Sequence, residues 1–176
     1  MYRTEVPLYS SLVDIVASVD ASVLSSRGAS PSSLPVRHQL ERHGAIRLGT
    51  EAEMRTIARL FGLLGMHPVG YYDLKMVGFP LHGTAFRPTT AASLAANPFR
   101  VFTTVLRPDL IASPAVRKTA TALLAQRQLF SPRLLSLLAQ AEAAPSTLTP
   151  QDADDLIAQS LLIFKWHSRA TVPLET

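Results

Sequence analysis

ERHGAIRLGT, residues 41–50, changes its period at its last residue. Read as a strand, it puts His43, Ala45 and Arg47 on one face and Gly44, Ile46 and Leu48 on the other. The second face is apolar and asks to be buried. The first pairs an imidazole, a metal ligand, with a fixed cation. Thr50 then opens TEAEMRTIARLFGLLG, in which Glu53 three residues on completes a Thr-x-x-Glu capping box. Met54, Ile57, Ala58, Phe61 and Leu64 make its apolar stripe, and Gly65 is a helix stop.

Beyond the helix the period returns to two. HPVGYYDLKMV (67–77), PLHGTAFRP (80–88) and FRVFTTVLRP (99–108) read as strands bounded by Gly, Pro or Asn. The order over residues 42–108 is therefore strand, helix, strand, strand, strand. On the N-terminal side, LYSSLVDIVASVDASVL (8–24) has Leu12, Ile15, Val16, Val19 and Val23 at helical spacing, with Ser10 or Ser11 as cap. SSRGASPSSLPV (25–36) is a Ser/Pro loop. From Pro114 onward the chain reads as helices entered through proline: PAVRKTATALLAQRQLF, SPRLLSLLAQAEAA with Ser131 as cap, and TPQDADDLIAQSLLIFKWH with Thr149 as cap. Asp152, Asp154 and Asp155 there complement the positive end of a helix, a simpler reading than a metal cluster. The fold class expected is α+β: an N-terminal helix and loop (1–36), one βαβββ module (37–112) and a helical segment (113–176), an insertion or the start of a longer continuation.

The 176 residues are 47% hydrophobic, enough for a core, and no apolar run reaches the ~20 residues that span a bilayer. With no cysteine, thiolate metal sites, iron–sulfur clusters and a cysteine nucleophile are excluded. MYRTEVPLYSS lacks a signal peptide's apolar segment, so a cytoplasmic location and no membrane partner are expected. The net charge is +4, but the arginines are scattered singly and the three lysines (Lys75, Lys118, Lys165) form no run. Aromatic residues, at 7%, do not interleave with them, so no nucleic-acid partner is expected.

No His-Glu-x-x-His, Gly-x-Ser-x-Gly, P-loop or Gly-x-Gly-x-x-Gly occurs. His38 and His67 sit at element boundaries, and His167 follows Trp166 on the last helix. His82 shares a strand face with Thr84 and Phe86, and a half-buried histidine bonded to its neighbours accounts for it. His43 suits Fe(II), Mn(II) or Zn, and a strand aims it well. Arg47, ~13 Å along the same face at the backbone, has the guanidinium geometry to hold a carboxylate through two parallel hydrogen bonds. The plainer alternative is a surface pair between Arg47 and Glu41, Glu51 or Asp73.

RHGAIRLGT, GMHPVGYYDL, HGTAFRP and NPFRVFTTVLRPDLI resemble, in this order, the N-terminal segment of the 2-oxoadipate dioxygenase/decarboxylase family of vicinal oxygen chelate-like enzymes. The resemblance covers residues 36–112 strongly and the tail to about 170 more loosely. It implies a βαβββ module and a non-haem Fe(II) enzyme of lysine breakdown that uses O2 to convert 2-oxoadipate, a small-molecule 2-oxoacid, to 2-hydroxyglutarate and CO2. It places the family's first metal histidine on His43 and its substrate-carboxylate arginine on Arg47. His82 and Thr103 are expected in the pocket wall, on the concave faces of their strands. No residue is assigned to the chemical step itself.

The family's iron also takes a second histidine and a glutamate from later sequence. Nothing after residue 112 supplies a matching block, and His167 and Glu175 are not assigned to it. The chain accordingly reads as the first part of such an enzyme. The competing readings are an inactive truncated fragment or non-catalytic dimeric module, and a homodimer in which two βαβββ modules complete one barrel around a shared site.

Overall fold

The computed structural model describes residues 6–165 and divides the chain into two compact units, Met1–Arg42 and His43–Thr176. In the first, helix α1 (Tyr9–Ser26) is followed by single 3-10 turns at Pro31–Ser33 and Val36–Gln39. The serine cap expected at Ser10 or Ser11 is not formed. The helix begins two or three residues earlier, behind Leu8, whose apolar side chain makes no capping bond. Its predicted apolar stripe exists as a stripe but contains no buried residue.

The second unit carries the sheet. Strand β1 (His43–Leu48) leads into α2 (Glu51–Leu63), and β2 (His67–Asp73), β3 (Leu81–Arg87) and β4 (Arg100–Leu106) follow. The capping box forms as its sequence requires: Glu53 N donates to Thr50 Oγ1 at 3.1 Å, and Thr50 N donates to Glu53 Oε2 at 3.1 Å. β2 ends earlier than its period suggests. Asp73 accepts from Lys75 N at 3.0 Å and turns Leu74–Val77 into a 3-10 turn, which closes on Gly78 at φ +87°. That φ lies in the left-handed region glycine tolerates. A short helix, α3 (Ala91–Ala96), capped reciprocally by Thr90 and Ser93, stands between β3 and β4 where a plain lead-in is expected.

The sheet order is β1-β4-β3-β2, with β1 parallel to β4 and the other pairs antiparallel. The connection from β1 at one edge to β2 at the other therefore crosses the sheet, and α2 lies in that connection. Burial along β1 alternates strictly, with Gly44, Ile46 and Leu48 buried and His43, Ala45 and Arg47 exposed.

Three more helices complete the unit: α4 (Pro114–Gln126), α5 (Pro132–Ala143) and α6 (Pro150–Leu161). Each has proline in its first turn and a capping hydroxyl before it, from Ser113, Ser131 and Thr149. α5 and α6 are part of the sheet's own core, whereas α4 has no buried residue. Leu134, Leu137 and Leu138 of α5 are buried in one cluster with Ile46, Ile57, Phe61, Phe86 and Val101. Arg133 clamps α6 by donating to Asp152 and Asp155 at 2.8 and 2.6 Å. Asp152 also accepts from Thr149, so the acidic cluster is a helix start and an ion pair. His167 and Glu175 lie outside the described residues, as does the end of the expected last helix. No helix among the described residues is long and apolar enough to cross a membrane.

Candidate functional site

Helices of the second unit pack on one face of the sheet, and the opposite face is exposed along β1. On β1 the open face carries His43, Ala45 and Arg47. The register extends it across the sheet: His43 lies beside Arg100, Ala45 beside Phe102 and Arg47 beside Thr104 on β4. Phe102 lies beside Ala85 and Thr104 beside Gly83 on β3. The Phe102 ring rests over Gly83, where a Cβ would meet its tip at 2.9 Å, and Tyr72 of β2 meets the same ring edge-on with centroids 5.4 Å apart. Glycine at position 83 lets the Phe102 ring lie close against β3, with Tyr72 at its edge.

Position and stiffness come from behind the strand. Gly44 leaves room for two aromatic rings beneath it: a Cβ there would stand 3.2 Å from Phe164 and 3.3 Å from Phe99. Past the other end of β1, Gly49 N donates to Glu53 Oε2 at 2.6 Å. Arg127, beyond α4, donates from Nη2 to the Arg47 carbonyl at 3.1 Å, and its Nε lies 3.5 Å from Glu53 Oε1. One buried carboxylate thus ties together the helix cap, the strand end and the cation that grips Arg47's backbone. A side chain on a strand fixed in this way is aimed with little freedom.

Two of the surface pairs weighed for Arg47, with Glu51 and with Asp73, do not form. Glu51 is paired with Arg55 within α2, Asp73 caps its own turn, and among the described residues the Arg47 guanidinium has no carboxylate partner. The register sets His82 and Thr103 on the other face from His43 and Arg47. The register puts Arg47 with Thr104 and Ala45 with Phe102, so Thr103 lies on the helix-covered face, fully buried beside Thr84. His82 points to that face as well, bonded to the Tyr71 hydroxyl at 2.9 Å and to Arg107, which is itself paired with Asp109. It borders a groove of about 480 Å³ with Thr50, Arg107 and Leu124, away from His43 and Arg47. Strand alternation says which residues share a face; it cannot say which face is covered.

Arg100 was not singled out by its sequence surroundings, because only strand pairing sets it beside His43. Its Nε is buried with no hydrogen-bond partner. Among the described residues no group of three or more His, Asp or Glu side chains is placed to hold a metal ion. The residues present thus do not by themselves fit a closed iron site.

The sequence profile of the 2-oxoadipate dioxygenase/decarboxylase family matches residues 1–176. The 2-oxoadipate dioxygenase/decarboxylase of Pseudomonas putida is 44% identical over 180 residues, covering 99% of this chain and 39% of that protein. The crystal structure of the hydroxyglutarate synthase from Pseudomonas putida in complex with 2-oxoadipate is similar at a TM-score of 0.83 and 44% identity, over 99% of this chain and 40% of that one. A putative glyoxalase superfamily protein from Ralstonia eutropha shares the fold at 21% identity and a TM-score of 0.54, over 70% of this chain and 39% of that one. The chain spans about two fifths of the length of the relatives it matches. The match over the whole chain, at this identity, shows that this chain belongs to the 2-oxoadipate dioxygenase/decarboxylase family.

Proposed function

We propose that this chain supplies one βαβββ half of an oxygenase of lysine breakdown that converts 2-oxoadipate and O2 to 2-hydroxyglutarate and CO2. The observation that carries the reading is the pairing of Arg47 with His43 on an uncovered sheet face, where Arg47 has no carboxylate partner among the described residues. Arg47 binds and orients a substrate carboxylate; its planar donor pair matches the two oxygens, and its strand holds it in place before the ligand arrives. Fe(II) is the cofactor we assign to the complete architecture, with His43 as the ligand from this chain and the others from polypeptide outside the described residues. No chemical step is assigned to the residues of this chain.

The test is an anaerobic titration of the chain with Fe(II), with and without 2-oxoadipate, followed by stoichiometry. Weak binding that disappears in His43→Ala is the expected result, with Arg47→Ala weakening the 2-oxoacid far more than the metal. Tight binding at one iron per chain that survives His43→Ala would overturn the assignment. One iron per two chains, still dependent on His43, would place the missing ligands in a second copy.

A further inference from the structure

The open face is ruled in rows that run across the strands. His43 of β1 pairs with Arg100 of β4, and His67 of β2 pairs with Arg87 of β3. Phe86 pairs with Val101, and one more step of that antiparallel register sets Arg87 opposite Arg100. In the order β1-β4-β3-β2 the first row therefore reads His43, Arg100, Arg87, His67. At ~4.8 Å per strand it spans ~14 Å. The next row is Ala45, Phe102, Ala85 and Val69, without a charge. The third is Arg47, Thr104, Gly83 and Tyr72. Along the strands the face is cationic, then apolar, then cationic, with ~13 Å of backbone between the outer rows.

None of these rows contains a carboxylate. Like charges set opposite each other on neighbouring strands are unfavourable. Among the described residues Arg87 donates from Nη1 to the carbonyl of Pro88, at 2.9 Å. Arg100 is worse placed, with its Nε out of solvent and unpartnered. A donor that has lost water and gained nothing in return is costly, and an anion placed over the row would satisfy it.

We propose that Arg100, supported by Arg87, is the second carboxylate anchor of the ligand whose other carboxylate meets Arg47, with the Phe102 row lying along its methylene chain. The face then selects α,ω-dicarboxylates over monocarboxylates of the same length. This rests on the placement of the ligand over the open face argued above, but it requires neither metal nor oxygen. Arg100 is a positioning and specificity residue.

The probes are adipate and hexanoate, added to the full chain in metal-free buffer and followed by NMR. Adipate is expected to move the Arg100 Nε–H resonance and to bind about two- to fivefold more tightly than hexanoate, as an exposed ion pair allows. Arg100→Gln brings that ratio to about one, and Arg87→Gln lowers it part of the way. If Arg100→Gln disturbs the amide spectrum, Arg100→Lys, which keeps the charge and loses the planar fork, is expected to give an intermediate ratio. An equal affinity for both acids in the native chain, a ratio unchanged by Arg100→Gln, or a silent Arg100 Nε–H overturns the proposal. A dicarboxylate preference that depends on Arg100 stands even if the iron titration fails, and a successful iron titration cannot rescue an Arg100 that ignores adipate.

Discussion

Arg127 and Glu53, 74 residues apart in the chain, meet at 3.5 Å behind the end of β1, and Arg127 reaches past that contact to the carbonyl of Arg47. The same Glu53 accepts the backbone N–H groups of Gly49 and Thr50. A helix cap has become the fixture that holds the strand carrying the candidate carboxylate anchor.

Glu53→Ala removes the returning half of the capping box and strands the Gly49 donor in a buried place. A loss of about 1–2 kcal/mol is expected from the capping contribution alone. Urea unfolding measures it, and hydrogen exchange at residues 47–50 should accelerate more than at β3. Exchange unchanged at those residues would show that the fixture is not needed.

Gly49→Ala tests how tightly α4 lies against that same corner. A Cβ at position 49 would stand 2.1 Å from Leu124 Cδ2 and 3.0 Å from its Cγ, so the whole side chain must move. Overpacking of this kind costs about 1–3 kcal/mol. Gly62→Ala is the control: nothing lies within 4 Å of the added carbon, and alanine replaces a poor helix former inside α2, so stability should rise by up to about 1 kcal/mol.

The C-terminal helices share a core with the sheet, and Leu137→Ala measures how much. Leu137 is fully buried among residues of both, and truncation of such a leucine costs about 2–5 kcal/mol. Fluorescence and circular dichroism transitions of the variant should remain coincident. A helical transition that separates from the sheet would contradict the single core.

Acid should loosen the same helices first. Hydrogen bonds from Thr149 and then Arg133 hold the Asp152 carboxyl below its ordinary value, and Arg59 does the same for Glu142. A carboxylate depressed in the folded state contributes stability that is complete above its unfolded pKa and is lost as pH falls through the folded one. Stability should therefore hold down to the ordinary carboxylate range near pH 4 and fall below it. Arg133→Ala brings the folded pKa of Asp152 back toward the unfolded one, so a chemical-denaturation series should show a smaller loss of stability in acid, whereas an unchanged loss would show the pairs to be fully screened.

How much of this was legible before folding differs from element to element. The Thr50–Glu53 box, the proline entries at Pro114, Pro132 and Pro150, and the alternation of β1 are local matters. A cap needs a hydroxyl and a carboxylate three residues apart, and a strand needs period two; both are written in consecutive residues. The order strand, helix, strand, strand, strand followed from them. The short helix at Ala91–Ala96 was missed because six residues show too little of a period to separate it from a loop, although Thr90 and Ser93 cap it.

The placement of faces was another matter. His82 and Thr103 alternate correctly with their neighbours, yet they lie on the covered side, because alternation is symmetric and only packing against α2 and α5 breaks the symmetry. The row His43, Arg100, Arg87, His67 joins four strands through three pairings, none of them local. The stripe of α1 shows the limit from the other side: its spacing specified a helix, but burial needs a partner surface, and spacing does not name one. By itself the sequence determined the order of the βαβββ elements, the caps at Thr50, Ser131 and Thr149, and the two residues, His43 and Arg47, that share a strand face. Only the tertiary structure decided which face stays open and which cations stand together on it, because these depend on contacts between residues far apart in the chain.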